Sequence, residues 1–308
     1  MNARGFAIGA LVGCILALWA MQPATAQELE PQRWRHLPID TNFFTAGFLH
    51  TDANIYADPP PRIEDATMEL DTWVLGYTRT FELLGKSAQI QLVQPWQKGS
   101  WSGTIDSVPA AVDRQGLADT QLRFAIHLFG APPLEPEAYA AYRAATKVDT
   151  TIGVGLGVQL PTGSYNEDKL INLGSNRFAF RPEIGIVHNR GDWSFEASGN
   201  VSVYTDNNSF FNGGQLETEP LYFAQANVLY RIRPDLWVAA GGGYAAGGAN
   251  TVDGVDKDDR RENILWGAGI GYSFTPWMGV KFQYIRSDAQ TAVGMDSNRY
   301  LFTVTFTD

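Results

Sequence analysis

Residues Trp193 to Tyr204 read WSFEASGNVSVY, with Trp193, Phe195, Ala197, Val201 and Val203 on one parity and Ser194, Glu196, Ser198, Asn200 and Ser202 on the other. A strand sends successive side chains to opposite faces, so this segment needs apolar surroundings on one side and a polar interior on the other. A transmembrane β-barrel provides both.

The pattern recurs toward the C-terminus with connectors that alternate between long and short. A long link, 206–219, leads to an alternating run at 221–232, the tight Arg233-Pro234-Asp235, and a second run at 236–246. A charged link, 247–262, precedes runs at 264–274 and 278–287 joined by Thr275-Pro276-Trp277, and a last link, 288–297, precedes 299–306. Outer-membrane barrels have short periplasmic turns and longer outer loops, and the order of these links obeys that rule.

Upstream the same reading gives strands at 42–55, 68–82, 88–102, 117–129, 150–159 and 179–189. Pro59-Pro60-Pro61 in the first outer link cannot join a ladder. Glu135 to Ala145 is Ala-rich after Pro132-Pro133 and predicts a short helix, which by parity expands one periplasmic turn. The expectation is an all-β chain: a closed antiparallel transmembrane β-barrel of about twelve strands over 41–308, ten or fourteen being the other even counts, with both termini periplasmic.

Residues 1–26 have the form of a secretory signal: Arg4, an apolar stretch from Phe6 to Met21, and the small-x-small site Ala24-Thr25-Ala26, placing the cut after Ala26. Residues 27–40 then read as an N-terminal periplasmic segment. The one cysteine, Cys14, lies inside the signal, where Leu11-Val12-Gly13-Cys14 also has the local form of a lipidation site; the mature chain would have no disulfide or thiolate ligand. An excess of acidic residues, 33 against 23 basic, argues against nucleic acid as a partner. Downstream of the signal no apolar run approaches the roughly 18 residues of a membrane helix.

The stretch QLPTGSYNEDKLINLGSNRFAFRPEIG (159–185), with Tyr204-Thr205-Asp206-Asn207 and Pro220-Leu221-Tyr222, resembles the outer-membrane transporter family of the meta-pathway of phenol degradation. The Leu-Pro-x-Gly-x-Tyr opening and the Asn-Leu-Gly-x-Asn-Arg segment carry the resemblance, which runs over most of the mature chain. It implies an outer-membrane barrel linked to uptake of small aromatic or other hydrophobic compounds and carries over no catalytic residue; no energy-coupling motif is visible, so passive diffusion down a gradient is the expected mechanism, and no cofactor is expected. Many such barrels end on an aromatic residue, whereas here Phe306 is followed by Thr307-Asp308.

Parity nominates the lumen side chains: Gln121, Arg123, Arg181, Glu183, Glu196, Asn200, Gln225, Asn227, Lys281 and Gln283. These either pair across a filled interior or line a narrow passage. The link 160–178 is too apolar for a freely solvated loop and is expected to fold over the mouth as a constriction, with Asp168, Lys169, Leu170, Asn172, Asn176 and Arg177 as candidates. Asp253, Asp256, Asp258 and Asp259 could hold a cation, and Lys257, Arg260 and Arg261 could meet lipopolysaccharide, but no calcium-loop spacing is present and a solvated loop is the simpler reading. His50 and Ser297, near the outer ends of the first and last strands, are the pair a lipid hydrolase would need. The expected partners are outer-membrane lipid and lipopolysaccharide, a small solute and the barrel assembly machinery. A structural or adhesive barrel without conductance is the alternative to a channel; no metal or catalytic motif appears, and an enzyme is not expected.

Overall fold

The computed structural model describes residues 29–57, 63–105 and 108–308. The signal segment with Cys14 and the cut after Ala26, and Pro59 to Pro61, lie outside the described residues.

Alternation builds the wall. In chain order the strands are β1 (Asn42–Ala57), β2 (Ile63–Leu83), β3 (Lys86–Ile105), β4 (Val108–Leu117), β5 (Gln121–Phe129), β6 (Val148–Gln159), β7 (Ala179–Arg190), β8 (Trp193–Tyr204), β9 (Asn207–Phe210), β10 (Gly214–Thr218), β11 (Leu221–Arg233), β12 (Leu236–Gly247), β13 (Asn250–Val252), β14 (Val255–Asp256), β15 (Arg261–Thr275), β16 (Met278–Ala289) and β17 (Gly294–Thr307), with helix α1 (Pro136–Ala145) between β5 and β6. Thirteen of the strands form one antiparallel sheet. Since β4 continues the line of β5, pairing with the upper part of β3 while β5 pairs with its lower part, twelve staves close the ring among the described residues. Closure is by β1 on β17, from Phe43 opposite Thr307 to Tyr56 opposite Gly294. Closure removes the long sheet edges that would make apolar strands an aggregation hazard, and the short β4, paired only with β3, is the edge that remains in the wall among the described residues.

Side chains sort by parity as expected. On β17, Tyr300, Phe302 and Phe306 point outward and are exposed, while Leu301, Thr303 and Thr305 are buried inward. The outward set forms an apolar band with aromatic contacts along its rims, such as Trp193 with Tyr230, Trp277 with Phe306, and Trp266 with Tyr284. That is the surface a bilayer requires. The non-aromatic ending is still pinned: Thr307 N–H donates to the Trp277 carbonyl at 2.9 Å and Asp308 N–H to that of Asn42 at 3.0 Å.

The long connectors hold more structure than solvated loops. β9, β10, β13 and β14 form a four-stranded sheet. Its hairpins turn at Asn212-Gly213 (φ 61° and 82°) and Asp253-Gly254 (φ 52° and 74°), dipeptides that favour tight hairpins because both residues tolerate positive φ. The carboxylates read as possible cation ligands serve these turns. Asp253 accepts from Gln215 N–H at 2.8 Å, and Asp259 from Asn250 N–H at 2.7 Å.

Candidate functional site

Glycines recur on the inward faces of several strands. Gly153 and Gly155 on β6, Gly185 on β7, Gly241 and Gly243 on β12, and Gly267, Gly269 and Gly271 on β15 share the parity of the buried polar residues. Wall side chains take the space over Gly155 (Glu183), Gly241 (Asn227), Gly243 (Phe223), Gly269 (Gln283) and Gly271 (Trp237), while residues 29–40, read from sequence as a periplasmic segment, cover Gly153 and Gly185 through Trp34 and Gly267 through Leu29. The chain ahead of β1 threads instead up through the lumen.

The physical reason is the composition of this segment, which complements the wall residue by residue. Leu29 joins a buried cluster with Phe223, Ala245, Leu265 and Ile285, and its carbonyl accepts from Gln283 Nε2 at 2.6 Å. Glu30 N–H donates to Gln225 Oε1 at 2.8 Å and Gln32 N–H to Glu196 Oε2 at 2.7 Å. Arg33 donates from Nη2 to Glu183 Oε2 at 2.6 Å and from Nη1 to Glu30 at 2.7 Å. Arg123 Nε donates to the other Glu183 oxygen at 2.5 Å. Glu183 thus sits between two buried guanidiniums, one from the wall and one from the segment, an arrangement stable only because all partners are present.

At the periplasmic rim a floor holds the segment. Ile39 N–H donates to the Leu134 carbonyl at 2.9 Å, Asp40 N–H to that of Thr80 at 3.0 Å, and Tyr139 of α1 donates its hydroxyl to the His36 carbonyl at 2.8 Å. His36 packs on Tyr139, Tyr142 and His127, with Arg143 and Asp149 nearby. Burial, reinforced by His127, pushes its pKa down to about 4. The docked imidazole is therefore neutral where a free one would protonate, so docking is strongest above pH 6.5 and weakens as pH falls toward 4. We expect backbone amides of residues 33–37 to exchange faster at pH 4.5 than at pH 7 after correction for intrinsic rates, and His36→Gln to flatten the dependence. Equal protection at both pH values would contradict this.

All ten lumen candidates face inward. Nine are buried and Asn200 is half-buried. Glu183, Arg123, Glu196, Gln225 and Gln283 meet the segment or its partners. Arg181 donates to Gln159 Oε1 at 3.2 Å, and Asn227 Nδ2 lies 3.4 Å from Gln225 Oε1. Gln121 donates to the Asp119 carbonyl, and Lys281 is buried opposite Gly271 and Thr303.

The link 160–178 folds against the outer mouth around a residue sequence reasoning missed. Asp119, at the break between β4 and β5, accepts from Gly163 N–H at 2.8 Å, Ser175 N–H at 2.8 Å and Gln159 Nε2 at 2.9 Å. Of the constriction candidates, Arg177 is buried, bonded to Thr218 at 2.6 Å and lying 4.6 Å from the Tyr204 ring, and Asn176 reaches Asn207 at 2.9 Å. Asp168, Lys169 and Leu170 form an exposed tip, which Asn172 ties by donating to the Lys169 carbonyl at 2.7 Å.

The hydrolase pair is not assembled. His50 faces outward, 2.7 Å from Asp71, whereas Ser297 points inward, fully buried and bonded to Arg299. Among the described residues no cluster of His, Cys, Asp and Glu could hold a metal. The wall is also irregular between β7 and β8. The β7–β8 ladder skips Arg181 and Pro182, the latter without an N–H to give, and an outward groove of about 520 Å³ lies there, lined by Pro182, Ile184, Val201, Tyr222 and Tyr244 and reaching Asn200 and Phe223.

This architecture is shared with the COG4313 outer membrane channel from Pseudomonas putida F1, at a TM-score of 0.76 and 23% identity over 91% of this chain and 100% of that one. Two other barrels match more distantly. The transport unit of the autotransporter AIDA-I from Escherichia coli gives a TM-score of 0.48 at 6% identity over 90% of this chain and 93% of that one. CymD, a monoaromatic hydrocarbon channel, gives 0.45 at 9% over 99% and 97%. No curated protein sequence matches the chain. The profile of one family, described as "Putative MetA-pathway of phenol degradation", matches residues 52–300, and the chain belongs to that family.

Proposed function

We propose that this protein is a Gram-negative outer-membrane channel for passive uptake of small hydrophobic or aromatic compounds. One observation carries the reading: a separate segment of chain, and not the barrel wall alone, fills part of the lumen, with Trp34 seated over Gly153 and Gly185 and Leu29 over Gly267. A barrel serving only as scaffold has no need to keep a place in its wall for a separable segment. The apolar seam at β7–β8 fits the same class of solute, since it offers aliphatic and aromatic contact from the membrane side to the edge of the lumen. The family supports the solute class, and the shared fold supports the outer-membrane setting.

The filled lumen also favours a second reading, a structural barrel that never conducts. Uptake separates the two. Expression in a host whose outer membrane limits entry should raise the initial rate of uptake of dilute radiolabelled toluene or phenol above that of a host carrying an empty vector. An unchanged rate with correctly inserted barrel would favour the structural reading.

A further inference from the structure

We infer that the cradle holding Trp34 is a binding site for a single aromatic ring carrying an oxygen acceptor, and that Trp34 occupies it as a built-in competitor. This rests on the channel reading above and names its solute site.

The cradle is cut to the shape of a flat ring. Gly153 and Gly185 are register partners on β6 and β7, and the indole of Trp34 lies across both. A β-carbon on Gly153 would come within 2.6 Å of the ring, and one on Gly185 would overlap its pyrrole edge. Any larger residue at either position would close the site. The Arg123 guanidinium stands 4.8 Å from the ring centroid, a cation facing an aromatic surface, and Ala125 and Val187 complete the apolar contact.

The hydrogen bonding is unfinished in a way that points to a different occupant. Trp34 is 2% exposed, yet its Nε1–H has no acceptor, and Arg123 Nη2, equally buried, has none either. Trp34 matches the cradle in shape but brings a donor to a place that already has a spare one. Buried donors without acceptors weaken a contact, so the indole is held less tightly than its fit allows. A phenolic or carboxylated ring would retain the stacking and bring the acceptor oxygen that the indole lacks for Arg123 Nη2, the carboxylate adding no donor of its own. Because the indole belongs to the segment that fills the lumen, solute in the cradle must displace that segment, which couples recognition to opening.

The test uses 19F NMR of the detergent-solubilised full-length barrel with 4-fluorophenol and fluorobenzene as probes. Trp34→Ala should bind 4-fluorophenol about tenfold or more tightly than wild type does, since a ligand that must displace a docked competitor is weakened by the fraction of time its site is free. In Trp34→Ala, 4-fluorophenol should bind roughly tenfold more tightly than fluorobenzene through the bond to Arg123. Adding Gly185→Leu to Trp34→Ala should abolish binding by filling the cradle. Folding is verified by heat-modifiable gel migration. Should Trp34→Ala not fold, Gln32→Cys with Cys14→Ser provides a second measure: 4-fluorophenol should speed maleimide labelling of position 32, and an unchanged rate would overturn the proposal. Absence of 4-fluorophenol binding to folded Trp34→Ala, or binding that survives Gly185→Leu, would also overturn it. If such a variant still takes up toluene or phenol, the channel reading stands without this site; binding without uptake would sink the channel reading instead.

Discussion

Replacing Glu183 with Ala should expose the lumen segment to trypsin at Arg33 and Arg35. In the native barrel Glu183 bonds both Arg33 and Arg123, and among the described residues its removal leaves Arg123 in the interior without a carboxylate in hydrogen-bonding reach. Breaking a buried pair from one side typically costs about 3–5 kcal/mol, because the surviving charge has lost its water and gained nothing. The barrel wall, held by continuous ladders from β1 to β17, need not bear that loss. Undocking the segment lets water reach Arg123, and Arg33 leaves with Glu30 still at its side. Even at the low end of the range the docking equilibrium constant falls by about a hundredfold, so the small undocked population grows by up to that factor and cleavage after Arg33 should accelerate with it. Glu183→Gln, which keeps one acceptor oxygen, should fall between. Cleavage of Glu183→Ala at the native rate would mean that the Arg33–Glu183–Arg123 contact does not hold the segment.

The wall was legible in the sequence because strand alternation is enforced by two solvents at once. Every second residue from Trp193 to Tyr204 had to suit lipid, and the break points at Pro234 and Pro276 marked short turns. Parity then placed Glu183, Arg123 and Glu196 on the inner face. What it could not supply was their partner. The segment 29–40 has no period to read, and its hydrogen bonds span more than a hundred residues of sequence, as between Arg33 and Glu183. A physical hint was available: inward charges and inward glycines such as Gly153 and Gly185 together imply that something polar and bulky fills the gap. The small outer sheet was missed although Asn212-Gly213 and Asp253-Gly254 are hairpin dipeptides, because its strands are too short for alternation to register. Asp119 was invisible for the opposite reason: it stands where two strands fail to join, and its role lies in satisfying backbone from the distant link 160–178.

Removing residues 29–39 should convert an occluded barrel into an open one. The wall loses no ladder partner by this change, since pairing begins at Asn42, and the inner face left behind combines bare glycines with polar groups that water can satisfy. A twelve-stranded ring lies between the small barrels filled by their own side chains and the sixteen-stranded porins with aqueous channels, so the emptied lumen should conduct. Planar-bilayer recording of the mature chain and of this deletion, side by side, tests the central claim most directly. The account predicts closed or briefly flickering levels for the mature chain and a steady open level for the deletion. Equal conductance in both, or silence from a folded and inserted deletion, would contradict it.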